Sequence, residues 1–508
     1  MCPDPRPNGL ITIQPSPQRG RPGRVLRGTG LVGVPVVVRI NLSMSKDITI
    51  VGAGPGGLAA AILLASSGQR VRIFERLPHV GGRTSTLDAE GYRFDLGPTF
   101  FLYPQVLKEI FAAAGANLEE EVPMVRLDPQ YRLLFEEGGR LDCTPDVKDM
   151  ERQIAAIAPG DAPQFKRFLD ENRAKLKAMM PCLQQPFQGW SDLLSLRLLK
   201  MLPMIRPHQS MDTYLGRFFR DPRIRLAFSF QSKYLGMSPF QCPSLFSILS
   251  FLEYEYGVFH PRGGCGSVTA AMARVAERLG VQIHLGEPVR ELLFDGRRAA
   301  GVRTDTGIHR SDAVVVNADF ARAMSRLVPD HLRTRWSDRS LARKKYSCST
   351  FMMYLGVEGT FDLPHHNIFI ARDYRRNLDE IESRHVLSEH PSFYVENPGA
   401  TDPTMAPRGH SALYVLLPVS HQHPNIDWNR ERSRFRSLAL RRIAAAGFDI
   451  PESRIRYERL ITPADWDAGY EIYRGATFNL THSLDQMLHL RPRNRFEEFD
   501  RMYLVGGG

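Results

Sequence analysis

The stretch DITIVGAGPGGLAAAILLASSGQRVRIFE, residues 47–75, decides the fold. An apolar run from Asp47 to Val51 reads as a short strand, and Gly52, Gly54 and Gly57 follow it as G-x-G-x-x-G. The helix LAAAILLASS is closed by Gly68, and a second strand, VRIFE, ends at Glu75. Strand, glycine turn, helix and strand make a βαβ unit, which implies a parallel sheet with a right-handed crossover. Each glycine has its own reason: the first permits the tight turn, the second lets a pyrophosphate approach the backbone, and the third allows close helix-to-strand packing. The helix N-terminus adds unpaired N–H groups and the positive end of a dipole for the phosphates. Glu75 stands where a carboxylate accepts hydrogen bonds from a ribose diol, so the unit reads as a dinucleotide site.

Outward from Glu75 the chain continues RLPHVGGRTST, so Arg76, Gly81, Gly82 and Arg83 lie just beyond the ribose carboxylate. Two glycines that expose amides and one fixed cation make a second phosphate contact, which favours FAD over a nicotinamide cofactor. The motif is similar to the Gly-Gly-Arg motif of flavoproteins. From 146 to 259 the pattern is largely helical and rich in proline, and near Gly263 the α/β pattern returns with a glycine turn and helix, the strand VQIHLG, a hairpin turning at Asp295-Gly296, and the buried strand SDAVVVNAD. The resulting organisation is a FAD-binding domain in three parts (47–145, 260–330 and 471–508), a mostly helical substrate and membrane region at 146–259, and a substrate-domain sheet with helices at 331–470. The fold class is α/β: a Rossmann-like FAD-binding domain with an inserted α+β domain.

Residues 1–46 lie outside that plan. They are rich in Pro, Gly and Arg and carry six Arg and one Lys against one Asp, which accounts for +6 of the formal charge of +11. Three readings suit them: a disordered arm, an acid-poor targeting segment, or upstream sequence read from an early start codon, the last favoured because Met44 is followed almost at once by a strand. The remaining +5 is mild, and without basic clusters interleaved with aromatics it argues against nucleic acid as a partner. No run reaches the roughly 18 apolar residues of a spanning helix, so membrane contact is expected to be peripheral. Six scattered cysteines with no C-x-x-C suggest neither a disulfide framework nor a zinc site and suit a reducing cytoplasm.

The segment GYRFDLGPTFFLYP alternates Tyr92, Phe94 and Leu96 with Arg93 and Asp95 before the turn Gly97-Pro98-Thr99. Together with the Gly-Gly-Arg run, it resembles the carotenoid desaturase family of bacteria and fungi, the phytoene and diapophytoene desaturases. PSLFSILSFLEYEYGVFHPRGG, KYSCSTFMMYLGV, HNIFIARDYRRNLDEIE and MAPRGHSALYVLLPV match that family in order and spacing, so the resemblance covers nearly all of 47–508. Tyr346-Ser347-Cys348-Ser349 and the HNIFIARDY stretch lean towards the C30 type over the C40 type. The resemblance implies hydride transfer from a linear carotenoid precursor to FAD, an apolar polyene substrate, and membrane quinone or oxygen as acceptor. It also implies attachment to the inner face of the cell membrane. Its implied cofactor set is Gly52, Gly54, Gly57, Glu75, Arg76, Gly82, Arg83, Gly97, Pro98 and Thr99, with Gly506 and Gly507. In the resembled family the strand matching MYLV runs on into a glycine-rich turn and a helix against the flavin, so DRMYLVGGG is expected to be a cut end holding the first half of a flavin contact. A terminal carotenoid oxygenase, or a non-catalytic isoprenoid-binding protein of the same fold, are the alternatives.

Such a reaction asks for an apolar tunnel more than for a catalytic triad. Phe228, Phe230, Tyr234, Met237, Phe240, Phe246, Phe251, Tyr254 and Tyr256 are the candidates to line it, against the plainer reading that they are core. SDLLSLRLLKMLPMIRP, residues 191–207, suits an interfacial helix whose cations reach headgroups. Asp95 and Glu253 are the acid/base candidates, Asp95 more simply ordering its own turn, and no catalytic residue is assigned. His365, His366, His421 and His423 sit among Pro and Asn with no third ligand at a recognisable spacing and read as surface loop histidines, so no metal is expected.

Overall fold

The computed structural model describes residues 26–29, 35–38, 45–183 and 196–506. It divides into two compact units, residues 1–45 and 46–508. In the first, Leu26–Thr29 pairs antiparallel with Pro35–Val38, two strands that the reading of residues 1–46 did not anticipate.

In the second unit, five parallel strands run in the order Gln282–His284, Arg70–Phe74, Asp47–Val51, Ala313–Val316, Met502–Leu504. They come from three separate stretches of chain. One face packs on the helices Pro55–Ser66 and Gly266–Arg278 through Ile50, Leu58, Ile62, Ala271 and Val275. The other packs on Phe320, Trp336, Phe496 and Phe499. Burial on both faces explains why these strands read as continuous apolar runs and not as alternations.

A seven-stranded sheet runs in the order Arg140–Cys143, Tyr131–Phe135, His366–Ile370, Phe393–Glu396, His410–Val419, Ser349–Glu358, Ile455–Ile461. Its first two strands lie before residue 145, the boundary drawn for the first part of the FAD-binding domain. Tyr131–Phe135 instead pairs parallel with His366–Ile370, so the chain enters the second sheet earlier than its pattern suggested. Alternation sorts the side chains. Phe351, Met353, Val415 and Leu417 face the helix Trp428–Ala445, while Met352, Tyr354 and Tyr414 face the opposite way, towards Tyr92 and Phe94. The helical region packs its aromatics against the same sheet: Phe165, Phe168, Phe219, Phe228 and Phe251 share a core with Tyr131, Leu133 and Ile370.

Candidate functional site

The strand carboxyl ends and the cavity-side face of the second sheet enclose one cavity of about 1150 Å³. Gly52, Gly54, Glu75, Arg76, Gly82, Arg83, Gly97, Pro98, Thr99 and Gly506 all line it. Gly57 does not; it lies in the first turn of the helix Pro55–Ser66, where a Cβ would strike the Gly52 carbonyl oxygen and come within 3.0 Å of Asn317 Oδ1. Gly507 lies outside the described residues.

Glu75 pins the glycine loop, and the two arginines that follow it bond to the backbone of Gly469 and Thr477. Glu75, 5% exposed, accepts the Ala53 N–H at Oε2 (2.8 Å) and the Leu77 N–H at Oε1 (2.9 Å), fixing the loop to the second strand. Arg76 Nη2 donates to the Gly469 carbonyl at 2.8 Å. Arg83 donates to the Thr477 carbonyl. Burial pulls its guanidinium pKa down, and the nearby Asp319 carboxylate opposes that shift.

Asn317, one residue past the strand Ala313–Val316, was not singled out by sequence. Its Nδ2 donates to the Val505 carbonyl at 3.1 Å, while its Oδ1 is buried with no hydrogen-bond partner. A Cβ on Gly54 would stand 2.8 Å from that Oδ1, and one on Gly56 would stand 2.8 Å from the Gly506 Cα. A cradle with no room for side chains, a helix N-terminus free of acidic residues and an unsatisfied buried acceptor fit a dinucleotide. Sequence shows only that Asn317 lies near the end of the buried strand SDAVVVNAD; the long-range pairing with Asp47–Val51 is what brings it to the glycine loop.

The other half of the cavity is largely apolar. Of the nine aromatic and Met candidates only Phe230 and Tyr234 line it, with Tyr131, Ile368, Ile370 and Leu416 from the sheet. Phe228, Phe251 and Tyr254 pack in the core as the plainer reading held. Behind the cavity wall Glu253 is 0% exposed and accepts three hydrogen bonds, from Tyr131 Oη (2.7 Å), Gln231 Nε2 (2.8 Å) and Tyr234 Oη (2.8 Å). Burial raises its pKa to about 7 against the lowering effect of those donors.

Asp95 is not on the cavity and does not merely order its own turn. Its Oδ1 accepts the Cys265 N–H at 2.6 Å, which ties it to the glycine turn that starts the helix Gly266–Arg278, and burial raises its pKa to about 7.

The surface reading of the histidines is corrected. His365 and His366 are 3% and 2% exposed, and His366 opens the third strand of the seven-stranded sheet. His366 Nδ1 is 2.7 Å from Tyr394 Oη, which is itself 2.9 Å from Thr99 Oγ1, so this imidazole lines the cavity. Burial drops its pKa to about 3, leaving the ring neutral. His421 is half-buried, with its pKa lowered to about 4 by burial, and His423 is half-buried against His385 at 4.3 Å. His365 contacts Glu396 (3.3 Å) and Thr401 (2.9 Å), and its ring lies 4.5 Å from that of His260. His260, His365 and Glu396 bring ligand-type atoms within 4.8 Å of one another.

Three comparisons bear on this geometry. The family model for flavin-containing amine oxidoreductases matches residues 55–507. A 4,4'-diapophytoene desaturase (4,4'-diapolycopene-forming) of Methylomonas sp is 40% identical over 469 residues, covering 92% of both chains. A zeta-carotene-forming phytoene desaturase of Myxococcus xanthus is 37% identical over 468 residues, 91% of this chain and 90% of that one. Among solved structures, an oxidoreductase from Methanosarcina mazei superposes with a TM-score of 0.58 at 18% identity over 91% of this chain and 94% of the other, a likeness of fold.

Proposed function

Because the chain belongs to the carotenoid desaturases within the flavin-containing amine oxidoreductase family, we propose that its cavity holds FAD at the glycine loop and draws a linear C30 or C40 carotenoid precursor into the apolar half. The protein is an FAD-dependent oxidoreductase acting on CH–CH bonds. The observation that carries the reading is that one cavity reaches from Gly52 and Glu75 to Phe230, Ile368 and Ile370.

Gly52, Gly54, Glu75, Arg83 and Asn317 would hold the cofactor, with Arg76, Gly82, Gly97, Pro98, Thr99 and Gly506 around it and Gly57 seating the helix. FAD, when bound, supplies a hydride acceptor. The protein's share is to hold one C–H in place, exclude water and take up the proton. Once a hydride has left one carbon, the neighbouring C–H is strongly acidic. Tyr234 Oη takes that proton while its own passes to Glu253 Oε1, 2.8 Å away. Membrane quinone or oxygen is the electron acceptor in this reading.

We further place the protein at the inner face of the cell membrane as a peripheral protein. Among the described residues no helix is long and apolar enough to cross a bilayer. Leu102 and Val258 pair across two short strands and line the cavity. Next to them Val106 and Tyr256 are exposed, and Tyr256 meets Tyr103 ring to ring at 4.6 Å, which supports an apolar mouth there. The expected interfacial helix at 191–207 falls only partly within the described residues. Residues 191–195 lie outside the described residues, and in Leu196–Ile205 Met201 and Ile205 are buried while Leu202 is exposed.

Expression in cells that accumulate phytoene or diapophytoene tests the function: a coloured, more unsaturated polyene is expected, and colourless cells containing flavin-loaded protein would overturn it. Asn317→Ala is expected to weaken FAD binding about tenfold by removing a buried acceptor, measured by flavin fluorescence titration.

A further inference from the structure

We propose that the ion pair Lys233–Glu382 is the end wall of the polyene cavity and sets the longest substrate that the cavity admits. The proposal rests on the polyene reading above and deepens it.

A cavity for hydrocarbon has no need of a cation, yet Lys233 lines it, in the same wall as Tyr234. Its Nζ lies 3.1 Å from Glu382 Oε1, and each side chain is 15% exposed. Glu382 ends the helix Tyr374–Glu382 and lines a second cavity of about 410 Å³ together with Asp373, Arg375, Arg376 and Asp379. Leu378, on the same helix, lines both cavities. The main cavity and the second one are therefore separated by a single side-chain layer made of this ion pair and Leu378.

The two kinds of side chain resist a substrate differently. A leucine can change rotamer when a methyl group presses on it. A bonded ion pair in an apolar wall cannot yield, because hydrocarbon offers neither charge a replacement partner, and separating the two leaves each uncompensated in a low dielectric. Tyr374, on the same helix, and Cys348, from the sheet, line the main cavity with Lys233, and the ammonium is held by its bond to Glu382. Beyond the wall the second cavity mixes polar residues with the apolar faces of Phe240 and Leu378, and the Arg375 guanidinium lies 3.6 Å over the Phe240 ring. A chain end that passed the wall would gain volume there, and removal of the pair opens the part of the wall that cannot yield.

The test compares the flavin-loaded wild type with two double variants. Lys233→Ala with Glu382→Ala removes both charges, leaves no lone ion and joins the cavities. Lys233→Glu with Glu382→Lys rebuilds the wall with its charges exchanged. Binding of a C30 and a C40 linear polyene is read from the shift of polyene absorption, and conversion is read separately. The double-alanine protein is expected to shift the C40-to-C30 affinity ratio towards the longer chain by at least about tenfold, with the exchanged pair staying near the wild-type ratio. A double-alanine protein that is folded, carries full flavin and keeps the ratio within about twofold would overturn the proposal. Because binding is read apart from conversion, a wild type that binds polyenes without oxidising them refutes the desaturase reading and leaves the wall still tested.

Discussion

Replacing Glu253 by glutamine is expected to slow flavin reduction by polyene about 10²- to 10³-fold, the usual worth of a positioned proton acceptor, while flavin content stays that of the wild type. Glutamine keeps the volume and one acceptor oxygen but cannot take the Tyr234 proton. Tyr234→Phe is expected to show the same fall, because it removes the hydroxyl that lines the cavity and joins it to Glu253. Stopped-flow bleaching of the flavin in anaerobic liposomes reads both. The pH profile separates proton transfer from packing. The carboxylate form is the acceptor, and burial raises the Glu253 pKa to about 7. The wild-type rate should therefore climb as pH rises through about 7 and then level, and the glutamine variant should be flat across that range. A glutamine variant whose rate keeps the wild-type pH limb would place the proton acceptor elsewhere.

The same residue makes a stability statement of opposite direction. Its folded pKa lies above its unfolded value, so its favourable contribution is full below about pH 4.5 and is lost as pH rises through about 7. The loss is on the order of 3 kcal/mol at most. Catalysis in this reading thus uses the charged state that the fold disfavours. Buried carboxylates at functional sites show this conflict because the low dielectric that makes them useful also makes the charge costly.

How much of this was legible depends on the range over which each feature is decided. The glycine loop and Glu75 are local: turn, helix start and ribose carboxylate fall within 29 consecutive residues, and periodicity with glycine spacing is enough to read them. Asn317 reaches that loop through pairing between strands far apart in sequence, and nothing near residue 317 says which strand is its neighbour. The cavity-side face of the second sheet is decided by register. Met352 stands opposite Leu416, and Leu416 opposite Tyr394, only because three strands align in one way. The histidines failed for a related reason. Pro364 and Asn367 suggested a loop, but Asn367 Nδ2 turns back to the Pro364 carbonyl at 2.7 Å and lets the strand begin at His366. Tunnel lining and core were indistinguishable in composition, since Phe228 and Phe230 differ only in the side of the chain on which they fall.

Two glycines of the βαβ unit, Gly52 in the cofactor loop and Gly68 after the helix, allow a sharper experiment, because both have a positive φ and they differ in their surroundings. Gly52 has φ +95° and Gly68 has φ +88°, both in the left-handed region. A Cβ on Gly68 would meet nothing within 4 Å, whereas one on Gly52 would run into the Asn317 carbonyl oxygen. Gly68→Ala therefore isolates the conformational cost, about 1–2 kcal/mol, and should lower the melting temperature by a few degrees with flavin content unchanged. Gly52→Ala carries the same strain and also pushes apart the two strands whose carboxyl ends build the cradle. FAD affinity should fall on the order of a hundredfold or more, so that the protein purifies nearly colourless. The close approach of Gly52 to Asn317 can relax only by moving backbone, since the obstructing atom is a carbonyl and not the end of a flexible side chain. If Gly52→Ala retained wild-type flavin absorbance, the loop would have to tolerate a separation of these strands that close-packed backbone does not allow, and the cofactor would be held mainly by Glu75 and Arg83. The paired variants thus measure how much of the cofactor's affinity is set by backbone proximity alone.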